Sequence, residues 1–125
     1  MHYVVTACLI IVAVIHLLPL PGLLGPKRLE ALYGVTILDP NLEILMRHRA
    51  VLFGLLGVFI LLSAFCPRLQ IAAFVLGFIS VLSFLWLVRS VGGYNASIRR
   101  VFVADLVALL ALVIGAIAYA IPGAA

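Results

Sequence analysis

The segment DPNLEILMRHRAVLFGLLGVFILLSAFCP, residues 39–67, decides the fold. Asp39 is a good helix N-cap and Pro40 suits the first helical position. A helix is therefore expected to start near Pro40, a good two turns before the chain becomes wholly apolar. Within those turns Glu43 and Arg47 stand i,i+4 in the favourable order. From Ala50 to Cys66 the run carries no charge, and Pro67 stops it. So apolar a run must satisfy its own backbone inside lipid, which a helix does.

Three other runs have the same character. Residues 3–18 are broken by Pro19 and Pro21, residues 69–88 end at Arg89 and the Gly92-Gly93 turn, and residues 101–121 end at Pro122-Gly123. With residues 50–66 they supply four spans, each near the length a bilayer core requires. The predicted fold is all-α: a membrane-embedded four-helix bundle forming one domain over residues 1–125. A short interfacial helix, residues 26–34, joins the first two spans. Pro26 opens it, Gly34 closes it, and Leu29, Leu32 and Tyr33 form its apolar side, with Lys27, Arg28 and Glu30 at the polar edge.

Composition agrees. The 125 residues are 67% hydrophobic and 10% charged, with mean hydropathy +1.40. A soluble domain of this size could not cover so much apolar surface with so few charges. The net charge of +4 does not point to nucleic acid, because the cations gather at span ends instead of forming a basic face. Cys8 and Cys66 make no CxxC motif, and two free buried thiols are expected. The N-terminus lacks a cationic leader region and a small-residue cleavage site, so the first apolar stretch reads as a retained span.

Orientation follows from counting cations. The side holding the first and third loops receives Lys27, Arg28, Arg47, Arg49, Arg89, Arg99 and Arg100, whereas the other receives only Arg68. The positive-inside rule makes the basic side cytoplasmic and places both termini outside, in the periplasm for a bacterial inner membrane. Small residues at close-approach spacing, Ala73/Gly77, Ala104/Ala108 and Ala111/Gly115, together with Gly54 and Gly57, are expected to mark helix-packing faces.

Asp105 is the polar residue most in need of a partner, because it lies inside the fourth span and ionisable groups there are costly. Arg99 and Arg100 lie about 120–140° from it around their common helix, so a cation from another helix is expected. On the second-span wheel Arg47 falls within about 20° of Gly54, whereas Arg49 aligns with Phe53, Leu56 and Ile60. That predicts an inward Arg47 paired with Asp105 and an Arg49 that snorkels to headgroups. His48 lies between them, along Leu52, Leu55 and Phe59. His16, at the cytoplasmic end of the first span, completes the set. Ser80 and Ser83 are expected to bond to their own helix.

The expected site is a cytoplasm-facing pocket of His16, Arg47, His48 and Asp105, with Glu43, Tyr94 and Asn95 at its rim. No metal is expected, since an arginine beside two histidines and a carboxylate opposes a cation. No phosphate loop, haem motif or nucleophile–base motif appears, and no cofactor is assigned. Three functions stay open. The first is binding of a lipid, quinone-like or other amphipathic molecule, or service as an accessory membrane subunit. The second is acid–base catalysis on a lipid-like substrate, with His16 or His48 as base and Asp105 as acid or orienter. The third is small multidrug-type transport, which lacks the first-span glutamate of those transporters and conflicts with the strong cation bias. Membrane lipids are the expected partners, and a second copy of the chain could cover apolar surface.

The successions IHLLPLPGLLGPKRLEALYG and DPNLEILMRHRAVLFGLLG resemble small bacterial four-helix membrane proteins of the DoxX-like kind, including relatives classed as domains of unknown function. The resemblance covers about residues 15–64. It implies the same four-span architecture and an association with redox or quinone-linked membrane systems, but it carries no redox motif to a particular residue here.

Overall fold

A computed structural model describes residues 2–121 and consists of five α-helices: α1 (His2–Leu17), α2 (Pro26–Tyr33), α3 (Pro40–Phe65), α4 (Gln70–Val91) and α5 (Ala96–Ala120). The fold is an all-α four-helix bundle with α2 laid across one end. Four of its helical segments are long and apolar enough to cross a membrane. The predicted stop of the last span at Pro122-Gly123 lies outside the described residues.

The helix boundaries follow from local chemistry. Asp39 accepts a hydrogen bond from the Asn41 amide, and Pro40 begins α3. Asn95 caps α5 by accepting from the Ile98 amide. Gly34 ends α2 at φ 66°, a left-handed conformation that a side chain would strain. Pro19 and Pro21 end α1 and turn the chain into a short 3-10 segment, Leu20–Leu24. At 26 residues α3 is about 39 Å long, longer than a hydrocarbon core of about 30 Å.

α1 packs between α3 and α5, while α4 packs on α5 and on α3. That order leaves α3 and α5 on one diagonal and α1 and α4 on the other. The core is built from Leu9, Val12 and Ala13 of α1, Ile60 and Ala64 of α3, Ala73 and Val81 of α4, and Ala108 and Leu112 of α5. The expected small residues let these helices approach. A Cβ on Gly77 would stand 2.9 Å from Leu112 Cδ2, and one on Gly115 would stand 3.0 Å from Cys8 Cβ. Outward faces carry Ile79, Leu110, Leu55 and Trp86, the surface acyl chains would cover.

Gly54 behaves differently from the other small residues. An added Cβ there would meet Leu20 Cδ1 at 2.6 Å, so Gly54 makes room for the 3-10 segment after α1 and not for a bundle helix. The bundle interior lies on the neighbouring face of α3, where Ile60 is fully buried. α2 folds over the same end of the bundle. Its Leu29 and Tyr33 are buried and form a second small core with Ile37, packed by Met46, Ile98 and Val101.

Candidate ligand-binding site

At the basic end of the bundle, beneath α2, lies a cavity of about 270 Å³. Its apolar wall includes Ile15, Leu32, Phe53, Phe84 and Val101, and its polar groups are His16, Tyr33, Arg49, Ser97, Arg100 and Asp105. A few polar groups converging in an apolar hollow between bundle helices are the usual make-up of a small-molecule site. Arg49 and Asp105 each stand nine residues past the first residue of their helices. Both helices begin at the same end, so the two side chains sit at one depth, about 14 Å in.

Arg49, and not Arg47, is the cation that α3 gives this cavity. Its Nη1 donates to the Tyr33 hydroxyl at 2.6 Å. Its Cζ lies 4.5 Å from the Phe53 ring centroid and 5.2 Å from that of Tyr33. Two aromatic rings and one hydrogen bond fix the guanidinium plane and leave its other N–H groups free of protein partners among the described residues. Arg47 turns the other way. Its Nε donates to the Leu23 carbonyl at 2.9 Å and its Nη1 pairs with Glu43 at 3.1 Å. The expected Arg47–Asp105 pair is therefore absent. The physical reason is Gly54: the face it marks is occupied by the Leu20–Leu24 segment, and Arg47 on that face straps this segment to α3.

Asp105 has no partner of its own among the described residues. Among the described residues the Arg47–Glu43 contact is the ion pair, and no cation comes within 4.0 Å of the Asp105 carboxylate. Among the described residues no hydrogen-bond partner is formed to it either. Arg49 and Asp105 face one cavity from diagonal helices without touching. Arg100 joins them at the mouth, exposed to solvent, with Nη2 donating to Ser97 at 3.1 Å.

His16 lies in the cavity wall but is spoken for. Nδ1 is 2.9 Å from the Val12 carbonyl, which can only accept, so this nitrogen carries the proton. Nε2 of the neutral ring then accepts from the Ser80 hydroxyl at 2.9 Å. The sequence reading missed this contact and expected Ser80 to bond within its own helix; that behaviour belongs to Ser83, which donates to the Ser80 carbonyl. A serine hydroxyl on a histidine nitrogen resembles a nucleophile–base pair. Here it ties α4 to α1 across the bundle diagonal, and the ring is 2% exposed.

The remaining expected site residues lie elsewhere. His48 is exposed on the outer face of α3 with Leu45, Leu52 and Leu55, because its wheel position carries it away from every neighbouring helix. Glu43 serves Arg47. Tyr94 stacks on Phe102 with ring centroids 6.3 Å apart. Asn95 reaches the site only indirectly: its Nδ2 donates to the carbonyls of Tyr33 and Gly34, tying the end of α2 to the start of α5. Arg49, expected among the head groups, and Tyr33 and Arg100 are the polar cavity positions absent from the expected site. Phe53 four residues after Arg49 was the available signal, since that spacing puts an aromatic face beneath the guanidinium. Among the described residues no group of three metal-ligating side chains occurs.

Comparison with known families, curated proteins and solved structures returns no match for this chain. Its functional reading therefore comes from the cavity itself.

Proposed function

We propose that this protein is a small integral membrane protein that binds an amphipathic small molecule. The polar head sits between Arg49 and Asp105, and the apolar part lies against Phe53, Phe84 and Val101. The observation that carries this reading is the unpaired Asp105 facing a fixed arginine across an open cavity. A structural ion pair would close to contact, because a charge desolvated near lipid is costly unless it is met by a partner. A head group between them meets both. The acid–base alternative has less support, since His16 has both nitrogens engaged and His48 is on the outer face.

The proposal places the cavity on the cytoplasmic side of a bacterial inner membrane, with the termini periplasmic. It includes the kinship of residues 15–64 with DoxX-like membrane proteins. The cation count of seven against one supports the orientation. Cysteine labelling tests it: in a chain lacking Cys8 and Cys66, Arg68→Cys reacts with an impermeant reagent from outside and Arg89→Cys does not. Labelling of Arg89→Cys from outside reverses the assignment.

Native mass spectrometry of protein extracted in a mild nonionic detergent tests the binding. The expected result is a discrete adduct that disappears in Ala104→Phe, whose ring fills the cavity. No adduct in several mild detergents, or one unaffected by the filled cavity, contradicts the proposal.

A further inference from the structure

The chemistry lining the cavity narrows the ligand class, and this step rests on the binding reading above. The charged groups facing the cavity are Arg49, Arg100 and Asp105. His16 also faces it, buried with both ring nitrogens engaged by Val12 and Ser80, and counts as a neutral imidazole in the charge sum. The lining thus carries a formal charge of +1, and a single negative charge on the ligand would neutralise it. Arg49 keeps unpaired N–H donors, and Arg100 at the mouth has Ser97 as its polar partner and no carboxylate. Two guanidinium groups with spare donors call for anionic oxygens.

Asp105 makes the opposite demand. An ionised carboxylate only accepts, so the same head group must also present a donor on the α5 side. A second carboxylate or a bare sulfonate would repel it. A hydroxyl next to the anionic group meets both walls at once.

Size adds a further restriction. The cavity of about 270 Å³ is less than twice the roughly 150 Å³ that holds a benzene molecule. It admits a compact head and a few carbons, but not a glycerol branching into two acyl chains. A ligand whose head tapers to one chain fits that space best.

We infer that the cavity takes a single-chain acidic amphiphile bearing a hydroxyl beside its anionic group, with the anion on Arg49 and Arg100 and the hydroxyl on Asp105. Arg49 supplies the fixed contact, because Tyr33 and Phe53 hold its plane. Arg100 draws the anion in from the mouth.

Titration of the delipidated protein with four defined probes tests this. The probes are dodecanoic acid, alpha-hydroxydodecanoic acid, neutral monododecanoylglycerol and dodecylamine, followed by native mass spectrometry in a nonionic detergent. The hydroxy acid binds tightest, the plain acid next, and the amine not at all. Arg49→Gln weakens both acids by at least about tenfold, the loss of one charge-assisted hydrogen bond, and leaves the glyceride unchanged. Arg100→Gln, at an exposed position where folding is not at stake, weakens the acids in the same selective way. Asp105→Asn removes the preference for the hydroxy acid over the plain acid. If the neutral glyceride matches the acids, or if Arg100→Gln and Arg49→Gln weaken all probes equally, the acidic assignment falls while the binding reading stands. A hydroxy-acid preference that survives in Asp105→Asn removes the role given to Asp105. Failure of every probe, with no adduct on the freshly extracted protein, removes the binding reading itself.

Discussion

Asp105→Asn separates a binding carboxylate from a structural one more sharply than any other change. If Asp105 were half of a buried ion pair, removing its charge would strand the partner and cost about 3–5 kcal/mol. Among the described residues no cation lies within 4.0 Å of it, so nothing is stranded. Asparagine has nearly the same volume and carries no charge. An aspartate at the centre of a membrane helix costs about 2.5–3.5 kcal/mol on insertion scales, and the cost falls toward the interface. Asp105 is the tenth of the 25 residues of α5, off the helix centre and beside a cavity with an open mouth. The expected change is therefore between no effect and a gain of about 1 kcal/mol. The assay is reversible unfolding in mixed micelles, titrating a denaturing detergent into a mild one and following far-ultraviolet circular dichroism. Ligand must be stripped first, because a bound molecule stabilises wild type by mass action and would mimic a loss in the variant. A loss of 3 kcal/mol or more in the stripped protein, on the scale of a broken buried pair, would refute the reasoning and make Asp105 a structural residue.

Three further outcomes follow from the same packing. Arg47→Gln loses an ion pair whose side chains are 42% and 33% exposed, so stability measured in the same assay falls by only about 1 kcal/mol and probe binding is unchanged. Ser80→Ala leaves the buried His16 nitrogen without its donor and costs about 1–3 kcal/mol, whereas Ser80→Ala combined with His16→Leu recovers part of that loss on unfolding. Gly77→Val drives a side chain into the fully buried Leu112 and lowers stability by about 1–3 kcal/mol, seen as an earlier unfolding midpoint.

The architecture was legible in the sequence because its boundaries are written in local chemistry. Asp39-Pro40, Asn95, Gly34 and the Pro19/Pro21 break act within a few residues of themselves, and helices that satisfy their own backbones need no distant partner. The site was legible only in part. Asp105 and His16 could be picked out because a polar group in an apolar span stands out against its own helix. Choosing the partner of Asp105 was a different kind of problem, since it required knowing which face of α3 looks inward. Gly54 suggested the wrong face. A small residue records that something comes close, but not whether it is a bundle helix or a returning loop, and here it is Leu20. The same limit hid Tyr33, which reaches Arg49 only because α2 folds back over the bundle end. It also hid the Ser80–His16 contact, made between residues 64 apart in sequence. Basic residues two apart at one end of a span look alike in sequence; only packing separates the strap, Arg47, from the cavity wall, Arg49.

Photo-crosslinking tests the central claim most directly. A dodecanoic acid probe carrying a diazirine near its carboxyl group is bound to purified protein, irradiated and mapped by peptide mass spectrometry. The account predicts labels on Phe53, Phe84 and Val101, competed away by unlabelled hydroxy acid and lost in Ala104→Phe. Labels confined to the outward faces, such as Leu55, Ile79 and Leu110, with no protection by competitor, would contradict it.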